Sequence, residues 1–376
     1  MPQSKSASIC IAGGGIVGLS SAYFLAKIGY EVVLIERDSI GSHASGFAYG
    51  SLSPLGEAGR EKEILPELDI ARIGMRIHTE FSTKLPNETG IDTQHRFRPS
   101  LDLAFDTTEV ETAQLQVGWR NKEKGYFSEW MEGDTAREIV PSLSPEIMGA
   151  VFTQGVADVD PYRLTLALTE ACESMGVEIQ HGEVKGVSKM NGNVSAIETS
   201  SGRILCERVV VALGPWSGLA SNWLGVKVPI RPLKGQILRL KAPATPVSCS
   251  VGWQGNYVCT KPDGLLWAGT TEEENGFDES PTTDGRDQVL FALQKMISGL
   301  DDAELIQQTA CLRPLPIDGQ IILGPITDRK DIIIATGAGR KGILLGPAMG
   351  KIVSELICEK QPEVDIAPFS PSRFSA

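Results

Sequence analysis

A chain of 376 residues is long enough for ~2 to 3 domain-sized units and a sizeable buried core. Its formal net charge of −12 argues against a phosphate backbone as partner, because that task needs clustered Lys and Arg, so no nucleic-acid partner is expected. Seven scattered cysteines without a CxxC and four histidines without ligand spacing predict no zinc site and fit the reduced thiols of a cytoplasmic protein. No stretch approaches the ~18 uninterrupted apolar residues of a membrane span, which leaves peripheral membrane contact and homo-oligomer formation open.

Residues 8–12 read as a short buried strand and 13–18 as a glycine turn. A helical period over 17–28 is stopped by Gly29, and a second buried strand over 31–35 ends at Glu36. This βαβ opening implies a parallel sheet. Amphipathic helices are expected over 66–85 and 161–175, the second followed by a strand at 177–180. A buried strand at 208–212 precedes Leu213-Gly214-Pro215. Strand 236–241 then alternates apolar and polar residues. Strands 257–260 and 265–270 flank Pro262-Asp263-Gly264, a hairpin signal. The chain closes on a strand at 332–335, a turn at 337–342 and a helix at 343–358. Parallel signals at the start, middle and end, with antiparallel ones between, predict two interleaved domains of an α/β protein. One is Rossmann-like and dinucleotide-binding (1–80, 150–228 and 318–376). The other is an antiparallel-sheet α+β unit covering the substrate (81–149 and 229–317).

Gly13-Gly14-Gly15-Ile16-Val17-Gly18 fits GxGxxG between the first strand and the first helix. Gly13 permits the tight turn, Gly15 a close backbone approach to a pyrophosphate, and Gly18 close helix–strand packing. The helix N-terminus adds partial positive charge. Glu36, followed by Arg37, is placed for an adenosine ribose. The small residues of Ser42-His43-Ala44-Ser45-Gly46 suit a second phosphate loop. The fingerprint alone does not separate NAD from FAD.

The segment Gly337-Ala338-Gly339-Arg340-Lys341-Gly342-Ile343-Leu344 resembles the closing flavin-binding segment of the D-amino-acid oxidase and glycine oxidase family. The resemblance runs through the whole chain and is nearest to glycine oxidase. It implies FAD as cofactor. Gly13, Gly15, Ile16, Val17, Gly18, Glu36 and Arg37 would hold the adenosine end. Ala44, Ser45 and Gly46 would form the second phosphate loop. Val184 would meet the adenine through its backbone, Ala212 and Gly214 would lie at the strand end near the cofactor, and Gly339 through Leu344 would face the flavin, with backbone N–H groups opposite the reduced ring.

By position, the resemblance also implies that Arg313 clamps the substrate carboxylate through its planar fork, with Tyr257 assisting and Arg340 as a further active-site arginine. Glu272 stands where glycine oxidase has methionine. It is expected at the mouth of the site, favouring a substrate with a donor or positive charge beyond the α-carbon. Cys311 falls near a position of covalent flavin attachment in sarcosine-oxidase relatives. The implied reaction moves a hydride from the α-carbon of glycine, sarcosine or a D-amino acid to flavin N5. The imine then hydrolyses to keto acid and ammonia. Oxygen, giving hydrogen peroxide, and a quinone or other carrier both remain open as electron acceptor.

Overall fold

The computed structural model describes residues 6–56, 66–242, 246–326 and 329–374. The first sheet has a parallel centre: Arg329–Thr336, the end of Gly202–Val211, then Ser6–Ala12, Val32–Glu36 and Glu178–His181. An antiparallel meander (Val184–Met190, Asn193–Thr199) runs into Gly202–Val211 on one side. The central strands are continuous Ile/Val runs because both faces are covered. Helices Ile16–Lys27, Leu68–Thr89, Pro161–Ser174 and Gly342–Ile357 contribute to the core on one face, with Leu19, Leu25, Phe81, Leu164, Ile352 and Val353 buried in it.

Two glycines set how the first and last helices meet. A Cβ at Gly346 would fall 2.7 Å from Ile16, and one at Gly350 2.5 Å from Ser20. Their absence lets the two helices pack backbone to backbone. The predicted helix at 66–85 runs on to Thr89, past Pro86, and is closed by Gly90 in the left-handed conformation.

The second sheet has eight strands in the order Glu304–Pro316, Ile230–Lys241, Leu266–Gly269, Asn256–Thr260, Ser250–Trp253, Ser100–Ala104, Gly149–Gln154 and Phe127–Glu132. One face packs Leu101, Val251, Val258, Leu266 and Leu238 against helix Thr283–Met296 through Val289, Leu293 and Met296. The other face looks into the cleft described below. Strand pairing puts Gly149–Gln154 in this sheet. We therefore propose that the dinucleotide-binding unit resumes after residue 154 rather than at 150. The hairpin predicted around Pro262-Asp263-Gly264 is present, as strands Asn256–Thr260 and Leu266–Gly269.

Candidate active site

The central strands of the first sheet end together at Ala12, Glu36, His181, Val211 and Thr336. Ligands of open parallel sheets bind beyond such carboxyl ends. A cavity of about 650 Å³ starts there and continues to the free face of the second sheet, within the range for small-molecule sites. Its walls include Gly13 to Val17, Glu36 and Arg37, Ala44 and Ser45, Val184, Ala212 and Gly214, and Gly339 to Leu344. Gly18 and Gly46 are buried behind the turns instead.

Gly13 has φ 107°, and a Cβ on it would lie 2.3 Å from the Ala212 carbonyl oxygen. A Cβ on Gly18 would lie 1.9 Å from the Gly13 carbonyl oxygen. The first turn therefore has to be glycine at both positions. Glu36 closes it, its Oε2 accepting from Gly14 N at 2.7 Å and its Oε1 from Asp38 N at 2.9 Å. Ser45 joins the second loop to the first helix by accepting the Ile16 N–H at 2.9 Å. With no side chain at Gly13, Gly14 and Gly15, these turns leave open the end of the cavity that they line, where the phosphates of a dinucleotide would lie. The outer wall of that end went unread in the sequence. Arg37 stacks on Trp216 with 4.5 Å to the ring centroid, and Trp216 stacks on Phe277. His43 bridges Asp38 and Glu279, both at 2.9 Å, so the loop carrying Phe277 and Glu279 is tied to the nucleotide domain. The bond to Glu279 raises the His43 pKa, burial opposes this, and Asp38 adds to it.

On the second sheet each functional side chain lies over a glycine of a neighbouring strand. A Cβ on Gly235 would sit 2.2 Å from Arg313 Nη2, and one on Gly269 2.7 Å from the Tyr257 hydroxyl. Arg313 Nη2 donates to Thr270 Oγ1 at 2.6 Å and Nη1 to the Thr271 carbonyl at 3.2 Å. A guanidinium has five N–H donors, so three remain for a ligand. Burial pushes the Tyr257 pKa upward against the pull of Arg313, so its hydroxyl stays a donor. Tyr49 stacks on Tyr257 with ring centroids 3.9 Å apart, and its hydroxyl meets Ser250 Oγ at 3.1 Å.

Arg340 lines the cleft, and its Nε donates to Glu272 at 2.6 Å. Glu272, expected at the mouth, stands outside the lining, with its carboxylate on Arg340. Cys311 does line the cleft. Burial pushes its thiol up to about 11, which leaves little thiolate at neutral pH.

Behind Tyr49 lies a charged cluster that the sequence did not reveal. Asp158 is nearly buried and faces Arg96 at 2.8 Å, Lys261 at 3.0 Å and Arg98 at 3.2 Å. Burial disfavours its ionisation, yet Lys261 and the two arginines outweigh that and hold the carboxyl below its usual range. Lys261 lies over the Tyr49 ring at 4.6 Å. The members of the cluster come from three separated segments, so no local spacing announces it. Among the described residues no cluster of His, Cys, Asp and Glu could hold a metal ion, and no helix is long and apolar enough to cross a membrane.

The parallel sheet, its phosphate turns and an apposed antiparallel sheet carrying an arginine and a tyrosine define a dinucleotide-dependent oxidoreductase. Comparison with known proteins specifies the class. The family model DAO, FAD dependent oxidoreductase, matches residues 8–356. Glycine oxidase of Pseudomonas aeruginosa is 28% identical over 369 residues, covering 98% of this chain and 99% of that one. The crystal structure of glycine oxidase from Geobacillus kaustophilus superposes with a TM-score of 0.93 at 27% identity, covering 98% and 99% of the two chains. Iminodiacetate oxidase from Chelativorans sp. BNC1 gives 0.89 at 25% identity, covering 96% and 98%. The chain belongs to the DAO family of FAD-dependent oxidoreductases, and FAD is its cofactor.

Proposed function

We propose that the protein oxidatively deaminates a small amino acid (glycine, sarcosine or a D-amino acid), giving an imino acid that hydrolyses to keto acid and ammonia. Oxygen is the acceptor of this reading, with hydrogen peroxide as product. The observation that carries it is the pairing of Arg313 and Tyr257 on one face of the second sheet, opening on the cavity that the Gly339–Leu344 turn also lines.

Bound FAD supplies the two-electron acceptor. Residues 13 to 17, Glu36, Ala44 and Ser45 would hold its adenosine and phosphates, with Gly18 and Gly46 behind them letting the turns close, and residues 339 to 344 would hold its ring. The protein's own part is placement. Arg313 is anchored by Thr270 and Thr271 and offers its remaining donors to a substrate carboxylate as a bidentate fork. Tyr257 donates to the same group. Held by its carboxylate at these two donors, the amino acid is positioned in the cleft, which lowers the entropic cost of reaction. Its amine needs no protein base once it is neutral. Related oxidases acting on glycine support the substrate class, as does a cleft too polar at Arg313 for a hydrocarbon amine.

The test uses purified holoprotein. It should be yellow and release FAD on heating, and acid precipitation should leave the polypeptide colourless, since Cys311 is a protonated thiol. Glycine, sarcosine and both enantiomers of alanine should be tried for anaerobic bleaching of the flavin band. Peroxide release against dye reduction then decides the acceptor. A flavoprotein that no amino acid or N-methyl amino acid reduces sinks the reading.

A further inference from the structure

Between strand Leu266–Gly269 and helix Thr283–Met296 of the second sheet's unit, residues 272–281 form neither strand nor helix. The segment is rich in acids, and each of them meets a cation. Glu272 pairs with Arg340, Glu274 with Arg231, and Glu279 with His43. Glu273 and Asp278 flank the fully buried Lys234 ammonium at 3.8 and 3.7 Å. The root of the segment is fastened to strand Ile230–Lys241. Backbone bonds join Glu273 and Lys234 in both directions, at 2.9 and 3.0 Å, and Gln236 Nε2 donates to Glu273 Oε1 at 2.7 Å.

The far part of the segment meets the nucleotide domain instead. Phe277 stacks on Trp216 with ring centroids 6.1 Å apart, and Glu279 reaches His43 at 2.9 Å. His43, Trp216 and Arg37 line the cavity, whereas Phe277 and Glu279 stand behind them. His43 directly precedes the turn in which Ser45 accepts the Ile16 N–H. Trp216 lies two residues past Gly214, at the end of strand Gly202–Val211. A contact at these two residues therefore bears on both segments that flank the dinucleotide end.

The chemistry at His43 is specific. A carboxylate accepts hydrogen bonds and donates none. Glu279 lies 2.9 Å from Nδ1 and Asp38 2.9 Å from Nε2. Both ring nitrogens must carry protons to satisfy both carboxylates, so the closed arrangement calls for an imidazolium. Glu279 foremost, against burial, holds its pKa above the ordinary 6.5. The other charge at this corner is Arg37, which pairs with Asp38 at 2.9 Å and lies over the Trp216 ring.

We propose that residues 272–281 are a strap that retains FAD: Glu279 acts through His43, and Phe277 through Trp216, to brace the cavity wall at its dinucleotide end. Both are positioning residues, since neither lines the cavity. The proposal needs only that FAD is bound and does not depend on which substrate is oxidised. Its sign with pH follows from His43. Below pH 6.5 the strap is held in full. As pH rises through the raised pKa, the ring loses a proton, one carboxylate faces a lone pair, and the strap loosens. FAD should then leave faster.

The experiment follows FAD release from diluted holoprotein by the rise in flavin fluorescence, between about pH 6 and about pH 9. Wild type should release FAD on the order of tenfold faster at the upper end, the worth of one hydrogen bond to a charged group. Glu279→Gln still offers an acceptor but no charge. It should release FAD faster than wild type at the lower end and show little dependence on pH. Phe277→Ala should be faster throughout and keep the wild-type slope. The wild-type profile needs no variant to fold. A flat wild-type profile overturns the proposal, as does a Glu279→Gln protein with the wild-type slope. A lowered melting temperature in Glu279→Gln with unchanged FAD release would also overturn it, leaving the pair as a contact between domains.

Discussion

The Arg313 guanidinium rests on the backbone of Gly235, in the space where any other residue would carry its Cβ: that atom would lie 2.2 Å from Nη2 and 2.5 Å from Cζ. Gly235 is on strand Ile230–Lys241 and Arg313 on its neighbour Glu304–Pro316. The strands need no glycine for their own conformation, since Gly235 is not among the positive-φ glycines. It is required by what lies on top of it.

Gly235→Ala should therefore damage binding without unfolding the sheet. The atom that must move is the end of a flexible side chain. The expected cost is ~1 to 3 kcal/mol in kcat/KM, from a disturbed charged hydrogen-bond pair, appearing mainly as a raised KM. Flavin content should match wild type. A wild-type KM in this variant would show that Arg313 tolerates displacement or binds no substrate.

Arg313 itself gives the sharper test. Arg313→Ala leaves the substrate carboxylate unpaired in a partly dry cleft, at an expected cost of ~2 to 5 kcal/mol in kcat/KM. Arg313→Lys keeps the charge but loses the planar fork and the simultaneous bonds to Thr270 and Thr271. It should recover only part of the loss. Full activity in either variant would move the clamp elsewhere, with Arg340 the next candidate.

Legibility followed locality. The nucleotide turns were readable because GGGIVG and the closing Gly339–Leu344 turn act largely through backbone, and each is contiguous in sequence; Glu36, which closes the first turn through its carboxylate, ends the strand next to it. The strands at 8–12, 31–35 and 332–335 were readable from the apolar runs 9–12, 32–35 and 332–335. Five of the eight strands of the second sheet were not. Helix Thr107–Arg120 buries only Ala113 and Arg120, so it shows no apolar stripe to the eye. Strand Ser100–Ala104 is short, and its partners Ser250–Trp253 and Gly149–Gln154 are remote in the chain. Asp102 comes to line the cavity only through that pairing, and Tyr49 only by packing on Tyr257 and Ser250 from another part of the chain. Glu272 was placed two residues past a strand that should cover the flavin. The sequence had no means of showing that Arg340, 68 residues away, takes its carboxylate.

That pair yields a third prediction. Arg340 and Glu272 are 26% and 45% exposed, so their mutual contribution to stability is small, about 1 kcal/mol or less. Glu272→Gln should leave the melting temperature nearly unchanged. It would also leave the positive charge of Arg340 uncompensated beside the cleft. The ratio of kcat/KM for an acidic over a neutral amino acid should rise several-fold, and the rise should shrink with added salt. Unchanged selectivity at low salt would reduce the pair to surface charge.

The last prediction concerns pH and the turn that faces the flavin. His78, on helix Leu68–Thr89, is 1% exposed, and its Nε2 lies 2.8 Å from the Ile343 carbonyl oxygen. A neutral ring donating from Nε2 satisfies that carbonyl and ties the helix to residues lining the cleft. Burial pushes the His78 pKa down to about 4 from an ordinary 6.5, against the upward pull of the Ile343 carbonyl. Above pH 6.5 the ring is neutral in both folded and unfolded chains, and stability is unaffected. As pH falls from 6.5 toward 4, the unfolded chain takes up a proton that the folded chain refuses, so stability falls. Below 4 both are protonated and the loss levels off. Between pH 7 and pH 5 the loss from this one group is roughly 2 kcal/mol. Gln at this position can donate to Ile343 but does not titrate. His78→Gln should therefore lose about that much less stability than wild type over the interval, as measured by urea unfolding of the holoprotein at both pH values. Flavin release in wild type should become easier over the same range, because Ile343 belongs to the turn lining the cleft. Parallel stability profiles for the two proteins would mean that His78 is protonated in the fold and that its bond to Ile343 is made by a charged ring.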